Sequence, residues 1–344
     1  MTYGNPISGK ERVLRTLAFQ EIDRVPVIPV THSCSAKVVG YSLGEAVTNP
    51  KKYVESQVRC LERFGYDGVW SIAVNEVAET LGCEIIVHDD DIPAVGKGTL
   101  METKDLATLP EPDFANSIWM NRKLEIIDLL KKEVGDQAVI IAPAITPLRA
   151  AAMMRGSMNF MLDLAEAPEF VKDLMEICTR HCLTAGVILG NNGADFLFYP
   201  LPLASKNLIS RTCFEEFVYP YMKQVVQIMQ KEGIKTLLHP CGDWEDRFDL
   251  VAGMRADMLQ ITSKVDLASI RNELGNEVTL MGKVNCLKTM FQGTPDDVKT
   301  ESTANIKSAG KGGGFVLSSD CALPRDTPAP NIFAMVEAAR KLEA

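Results

Sequence analysis

The stretch Lys235-Thr236-Leu237-Leu238-His239-Pro240-Cys241-Gly242 shows the strand and turn of a helix–strand pattern that recurs along this chain. Its short apolar run, residues 235–239, predicts a buried parallel strand that ends in turn-forming and polar residues. Just upstream, apolar residues recur at helical spacing over residues 214–231, and Gly233 ends this predicted helix. A helix that leads into a buried strand is typical of an α/β fold with a parallel sheet.

The same alternation of buried runs and helical patterns continues over most of the sequence. The predicted strands are residues 25–30, 68–72, 139–143, 194–199, 235–239, 258–261, 278–282 and 314–318. Further helices are predicted at residues 119–132, 167–189, 295–309 and 331–342. Eight such strand–helix units indicate a closed barrel, so we expect a single (β/α)8 TIM-barrel domain over residues 1–344 with an N-terminal elaboration.

One segment departs from this alternation. Residues 84–110 are rich in Asp, Thr, Gly and Lys and carry no long apolar run. This composition predicts a hairpin insertion in the barrel.

Composition excludes several classes of function. The chain has 344 residues, of which 46% are hydrophobic and 24% charged, and its net charge is -9. An acidic surface without a basic stripe repels a phosphate backbone, so no nucleic-acid partner is expected. We see no signal-peptide pattern and no apolar stretch long enough to span a membrane, and we expect a cytoplasmic protein. The nine irregularly spaced cysteines fit that reducing compartment.

Two polar residues at the end of the predicted strand 235–239 have the chemistry of metal ligands. Residues i and i+2 of a strand point to one face, so His239 and Cys241 can offer an imidazole nitrogen and a thiolate to one ion. Cys321, just past the last predicted strand, would supply a third ligand. Three protein ligands leave one tetrahedral position open, as in catalytic zinc sites. The alternative is that these thiols are buried as small apolar groups, which we expect for the other seven cysteines.

The barrel prediction brings further polar residues to the same place. Active sites of these barrels lie at the carboxyl ends of the strands. His32, Asn75, Gln260 and Asn285 each fall at or just past a predicted strand end, which makes them candidate cofactor-binding residues. Ordinary loop polarity is the alternative for each of them.

Many short motifs in the chain resemble one known family. They are Lys10-Glu11-Arg12-Val13-Leu14, Asp23-Arg24-Val25-Pro26-Val27, Leu81-Gly82-Cys83-Glu84-Ile85, Gly193-Ala194-Asp195, Phe214-Glu215-Glu216-Phe217-Val218, His239-Pro240-Cys241-Gly242, Gly282-Lys283-Val284-Asn285, Gly293-Thr294-Pro295, Asp320-Cys321 and Asp326-Thr327-Pro328. The chain resembles the methylcobalamin:coenzyme M methyltransferase branch of the uroporphyrinogen decarboxylase superfamily, nearly end to end. The resemblance implies a barrel enzyme that moves a methyl group between a corrinoid cobalt and a thiol. It also implies that His239, Cys241 and Cys321 bind Zn²⁺ and that a partner protein carries the corrinoid, which acts as co-substrate.

Several alternatives to this function can be weighed. Porphyrinogen decarboxylases of the superfamily carry an Arg-Gln-Ala-Gly-Arg stretch after the first strand, whereas this chain has Thr31-His32-Ser33-Cys34-Ser35-Ala36-Lys37, so we reject that reaction. Two alternatives stay open: transfer to a corrinoid protein from a methoxylated aromatic, halomethane or methylamine, and a non-catalytic corrinoid-binding subunit.

Auxiliary roles are predicted for a few charged residues. Asp243 or Asp320 would accept a hydrogen bond from a metal-bound His239, although Asp243 also suits a helix N-cap. Glu79 is a candidate for the barrel mouth. An anionic group of the substrate would bind Lys206, Arg149 or Arg155, and the sequence does not choose among the three.

Overall fold

A computed structural model describes residues 7–275, 277–309 and 313–342. In these residues the main sheet is seven-stranded and entirely parallel, and each strand is followed by helix. In chain order, with the two hairpin strands included, the strands are β1 Gly68–Trp70, β2 Ile85–Ile86, β3 Ala94–Val95, β4 Val139–Pro143, β5 Phe196–Pro200, β6 Lys235–His239, β7 Met258–Gln260, β8 Thr279–Val284 and β9 Phe315–Ser319. The order in the sheet is β1-β4-β5-β6-β7-β8-β9.

The predicted first strand, residues 25–30, lies between the two edges of this sheet. The Ile28 N–H donates to the Leu317 carbonyl of β9 (2.9 Å), and the Asp67 N–H donates to the Val27 carbonyl (2.8 Å). The segment pairs with β9 through a single parallel bridge, because its two prolines have no N–H to give to a ladder. It nevertheless closes the ring, and the predicted (β/α)8 barrel is confirmed.

The barrel interior is filled by alternate residues of all eight segments. From the strand segments this cluster contains Ile28, Val30, Trp70, Val139, Ile141, Phe196, Phe198, Leu237, Met258, Met281 and Val316, and Val13 of the helix Gly9–Leu17 joins it. Because side chains alternate along a strand, the residue two positions beyond the last interior residue of each strand points to the mouth of the barrel. A second, larger apolar layer packs between the sheet and the helices.

The helices surround the sheet. They are α1 Gly9–Leu17, α2 Ser35–Val38, α3 Leu43–Thr48, α4 Pro50–Phe64, α5 Glu76–Thr80, α6 Ile118–Val134, α7 Pro147–Arg155, α8 Ser157–Glu166, α9 Pro168–Asn191, α10 Arg211–Phe217, α11 Tyr219–Lys231, α12 Phe248–Gly253, α13 Leu267–Leu274, α14 Pro295–Ala309 and α15 Ala329–Lys341. Residues 106–108 and 245–247 form 3₁₀ turns, and Cys286–Phe291 forms a π-helix. None of the helices in the described residues is long and apolar enough to cross a membrane.

The prediction of one continuous helix over residues 214–231 is wrong. The structure has two helices, α10 and α11, with non-helical Val218 between them. Pro220 accounts for the break, because its ring crowds the carbonyl four residues earlier and it has no N–H for that carbonyl to accept.

The segment 84–110 contains the predicted hairpin. Strands β2 and β3 pair in antiparallel register, with Ile85 opposite Val95 and Ile86 opposite Ala94. Asn75, at the carboxyl end of β1, donates from its side-chain amide to the Pro93 carbonyl (2.9 Å) and so ties the hairpin to the barrel rim.

Candidate functional site

His239 ends β6 and points into the mouth of the barrel. It lies two residues after Leu237, an interior residue, and is only 2% exposed. Its ring stacks on Phe198, with centroids 5.5 Å apart and planes at 22°. In the part of the chain that the structure describes, neither ring nitrogen has a hydrogen-bond partner. A buried imidazole unsatisfied on both sides is destabilising unless a further group binds there.

Cys241 and Cys321 bring two thiols to the same place. Cys241 follows the β6 strand end, where Gly242 adopts a positive φ of 91° that L side chains rarely take. Cys321 lies two residues past the end of β9. Both cysteines are half-buried. A hydrogen bond from the Cys241 thiol, together with the nearby His239 ring, holds the pKa of Cys321 well below its usual range. The same pairing and burial raise the pKa of Cys241.

These three donors fit zinc in chemical type, because thiolates and imidazole are its usual ligands. Among residues 7–275, 277–309 and 313–342, however, no three His, Cys, Asp or Glu side chains already have the geometry of a metal site. The Cys321 thiol interacts with both the Cys241 thiol and the His239 ring. The ligand assignment remains a prediction.

Two other candidates lie at this mouth. The His32 ring packs edge-on against Trp70 with centroids 6.0 Å apart, and its Nδ1 lies 2.7 Å from the Ser33 hydroxyl. Burial lowers the pKa of His32 to about 4, and charges on Cys321, Arg149 and His239 also act on it. His32 therefore interacts electrostatically with two of the proposed ligands, His239 and Cys321.

Gln260, at the end of β7, is fully buried. Its side-chain amide donates to the Ser319 carbonyl of β9 (2.8 Å), whereas its Oε1 has no partner in the described residues. The residue therefore keeps one acceptor free at the mouth.

The two asparagine candidates are engaged in local structure. Asn75 holds the hairpin, and its Oδ1 accepts a long 3.4 Å bond from Arg149. Asn285 caps the π-helix: its Oδ1 accepts from the N–H groups of Leu287 (3.1 Å) and Lys288 (2.7 Å). Both remain candidates for ligand contact, but the hydrogen bonds that they make in the structure are structural.

The predicted carboxylate partners of His239 are occupied elsewhere. Asp320 accepts from the backbone N–H groups of Cys286 (2.8 Å) and Ser263 (3.3 Å). Asp243 pairs with Lys206 (3.1 Å) and accepts from the Glu245 N–H at the start of a 3₁₀ turn. In the described residues neither aspartate bonds to His239, so their role as partners of a metal-bound His239 stays a prediction. The N-cap of the 3₁₀ turn is Trp244, so the predicted N-cap role of Asp243 is wrong.

Two more of the predicted auxiliary residues are also structural. Glu79 accepts from the N–H groups of Ile118 and Trp119 (3.1 Å each), so it caps α6 and does not face the mouth. Arg155 pairs with Asp163 (2.6 Å) and donates to two backbone carbonyls.

Sequence reasoning missed a buried ion pair at the rim. Lys123 Nζ lies 3.0 Å from Glu76 Oε1, and both side chains are fully buried. Lys123 also donates to the Pro143 carbonyl at the end of β4. A signal was present, because Lys123 shares the helical spacing of Met120, Ile127 and other apolar residues on the buried face of α6.

The comparisons with known proteins cover almost the whole chain. The uroporphyrinogen decarboxylase (URO-D) family model matches residues 8–342. The methylcobamide:CoM methyltransferase MtbA of Methanosarcina acetivorans is 26% identical over 336 residues, 96% of this chain and 97% of the relative. A uroporphyrinogen decarboxylase of Pseudomonas syringae pv. tomato is 20% identical over 97% of both chains.

A solved structure supports the fold. A methyltransferase from Methanosarcina mazei superposes with a TM-score of 0.88 over 97% of this chain and 99% of that chain, at 23% identity. The predicted enzyme class, a methyltransferase, is confirmed by the curated relatives. From its match over residues 8–342, this chain belongs to the uroporphyrinogen decarboxylase (URO-D) family.

Proposed function

We propose that this protein is a zinc-dependent corrinoid methyltransferase, which moves a methyl group from a methyl-Co(III) corrinoid on a partner protein to a small thiol such as coenzyme M. The observation that carries the proposal is His239, a buried imidazole whose two nitrogens have no hydrogen-bond partner among the described residues and whose ring interacts with the Cys321 thiol. The methylcobamide:CoM methyltransferases among its relatives support the reaction type.

The donor set suits this chemistry. A Zn²⁺ ion held by His239, Cys241 and Cys321 would be formally neutral and would lower the pKa of a substrate thiol while leaving its sulfur nucleophilic. Phe198 fixes the plane of the His239 ring by stacking on it. Pro240 and Gly242 bracket Cys241 in a tight turn, which limits how far its thiol can move.

The reaction balances without an acid–base triad. The thiol loses its proton to solvent, its sulfur attacks the methyl carbon, and a sulfur–carbon bond forms as the cobalt–carbon bond breaks. The bonding electron pair stays on cobalt, which leaves as Co(I). The role of the protein is to hold sulfur and methyl carbon within about 3 to 3.5 Å in line with the breaking bond.

The first experiment measures zinc and turnover together. Protein purified without chelators is assayed for metal by elemental mass spectrometry and for methyl transfer from free methylcobalamin to mercaptoethanesulfonate. We expect about one zinc per chain in the wild type and loss of both zinc and turnover in Cys241→Ala and Cys321→Ala.

Cys213→Ala is the matched control, because Cys213 is a half-buried thiol on α10. It should retain zinc and activity. Absence of zinc from the wild type, or turnover retained in Cys241→Ala, would sink the zinc mechanism. Binding of methylcobalamin without turnover would instead identify a corrinoid-binding subunit.

A further inference from the structure

Around Glu76, the rim of the barrel has two cations, Lys123 and Arg149, for one carboxylate. Lys123 and Glu76 form a fully buried pair. Arg149, in the first turn of α7, feels the charge of the same Glu76. In the described residues no carboxylate forms an ion pair with Arg149, so one carboxylate serves two cations. Buried charge of this kind is stable only when an opposite charge or several hydrogen bonds compensate it.

Arg149 also has unused hydrogen-bond donors. A guanidinium carries five N–H groups, and the one side-chain bond that Arg149 makes in the described part of the chain is the 3.4 Å contact to Asn75 Oδ1. Burial lowers the pKa of Arg149, whereas paired carboxylates raise the pKa of Arg12. The difference follows from the carboxylate partners: Arg12 has two, whereas Arg149 has none at ion-pair distance in the described part of the chain.

The guanidinium lines a cavity that suits a small molecule. The cavity has a volume of about 310 Å³ and lies between the hairpin and helix α7. Its polar lining side chains are Asn75, Arg149 and Ser157, and the remaining lining residues are apolar or glycine. A cavity with one cation, Arg149, and a mostly apolar lining suits a ligand with a short aliphatic chain that ends in an anionic group.

Two further features favour an anion at Arg149. Arg149 occupies the third position of α7, whose N-cap Thr146 makes no side-chain cap bond, so the positive end of the helix dipole adds to the guanidinium charge. The charges of Cys241 and Arg149 also act on one another. Helix α7 begins just after the carboxyl end of β4, so Arg149 lies at the same end of the barrel as His239 and Cys241.

We propose that Arg149 binds the anionic end of the substrate, a short aliphatic thiol that carries a sulfonate or carboxylate, and so sets the specificity of the site. This inference rests on the proposed function. A sulfonate or carboxylate oxygen pair matches the planar fork of a guanidinium, and the ligand charge compensates the excess cation. The other two cations considered are engaged: Arg155 with Asp163, and Lys206 with Asp243 and Glu245.

The test compares two acceptors that differ only in the anionic end. Methyl transfer from methylcobalamin is measured with mercaptoethanesulfonate and with mercaptoethanol, and the ratio of their kcat/KM values gives the anion preference. Arg149→Met should lower this preference about 100-fold, through KM, because charge-assisted hydrogen bonds are lost. Arg149→Lys keeps the charge without the fork and should lose part of the preference.

Lys206→Met is the matched control, since it removes a positive charge from the rim outside the cavity. It should leave the preference unchanged. An Arg149→Met enzyme that kept the wild-type preference would overturn the inference.

A binding experiment separates this inference from the proposed function. Protein from which a chelator has removed zinc is titrated with ethanesulfonate, which has no thiol. The wild type should bind it, and Arg149→Met should raise the dissociation constant at least tenfold. If no thiol is methylated but this difference holds, the methyl-transfer proposal fails and the anion site stands. Equal binding to both proteins, or none to the wild type, overturns the anion site.

Discussion

The two ends of this barrel both bury charged side chains, but the network around Asp67 at the amino end is paired more completely than the charged groups at the mouth. At the amino end, Asp67 accepts from Arg12 (2.6 Å) and from Arg24 (2.7 Å). Arg12 also pairs with Asp23 (2.6 Å), so two cations meet two carboxylates. The Val27 N–H donates to Asp67 as well (2.7 Å), which ties the network to the segment that closes the ring.

At the carboxyl end the partners are incomplete. Glu76 Oε2 and both nitrogens of His239 lack hydrogen-bond partners in the described residues, and Arg149 has no ion pair there. The comparison agrees with a general property of such barrels: residues at the amino end stabilise the fold, and residues at the carboxyl end bind ligands. Unsatisfied groups at the mouth are the ones that a substrate or metal would complete.

The largest effect is expected from breaking the complete network. Asp67→Asn should lower the free energy of unfolding by about 3 to 5 kcal/mol, because it leaves two buried guanidinium groups short of a carboxylate. Urea denaturation followed by circular dichroism measures it. Methyl transfer per folded molecule should stay close to wild type, since Asp67 lies at the opposite end from the thiols.

Glu169→Gln is the control for this prediction. Glu169 forms an exposed pair with Lys172 (3.0 Å), so its loss should change stability by less than about 1 kcal/mol. A similar small change in Asp67→Asn would mean that the amino-end network does not stabilise the barrel.

At the carboxyl end, removing both partners of an ion pair should cost less stability than removing one. Glu76→Gln leaves Lys123 as a buried charge without a counter-ion and should lower the free energy of unfolding by about 3 kcal/mol. The double variant Glu76→Gln, Lys123→Met removes both charges and should recover most of that loss. Chemical denaturation of wild type, Glu76→Gln, Lys123→Met and the double variant completes the double-mutant cycle. A double variant no more stable than Glu76→Gln would show that charge is not the cause.

The local sequence was sufficient wherever burial alone decides the structure. The strands Val139–Pro143 and Lys235–His239 and the helix Pro295–Ala309 have the predicted bounds, because an uninterrupted apolar run or a helical period with clear ends determines them. The strand ends then indicated the mouth, and with it His239, Cys241 and Cys321. Motif resemblance supplied the enzyme class.

The remaining features depend on contacts that sequence spacing does not reveal. Glu76 and Lys123 are 47 residues apart and meet only because α5 and α6 pack together. Arg149 could not be chosen over Arg155 until the structure paired Arg155 with Asp163. The error at Val218 has a local cause, Pro220, and could have been avoided from the sequence.

His32 gives the mouth a pH dependence of stability between its folded and unfolded pKa values. Burial lowers its folded-state pKa from 6.5 to about 4. Between these values the unfolded chain binds a proton that the folded chain does not, so stability falls as the pH drops through this window. By pH 5 the contribution of His32 is a loss of about 2 kcal/mol relative to neutral pH.

The measurement compares wild type and His32→Gln by denaturation at neutral pH and near pH 5, with zinc chelated in both. The wild type should lose about 2 kcal/mol more stability than the variant on acidification. Equal losses would mean that the His32 imidazole titrates normally in the folded protein.

The smallest effect is expected at Asn285, where the mouth and the scaffold meet. Its amide caps the π-helix and donates to the Ser263 hydroxyl (2.9 Å), so Asn285→Ala should lower the free energy of unfolding by about 1 kcal/mol. KM for the thiol should change little, because the hydrogen bonds of this amide are made to the π-helix and to Ser263. If KM rises while stability holds, Asn285 contacts the substrate, and the carboxyl rim uses even its capping residues for binding.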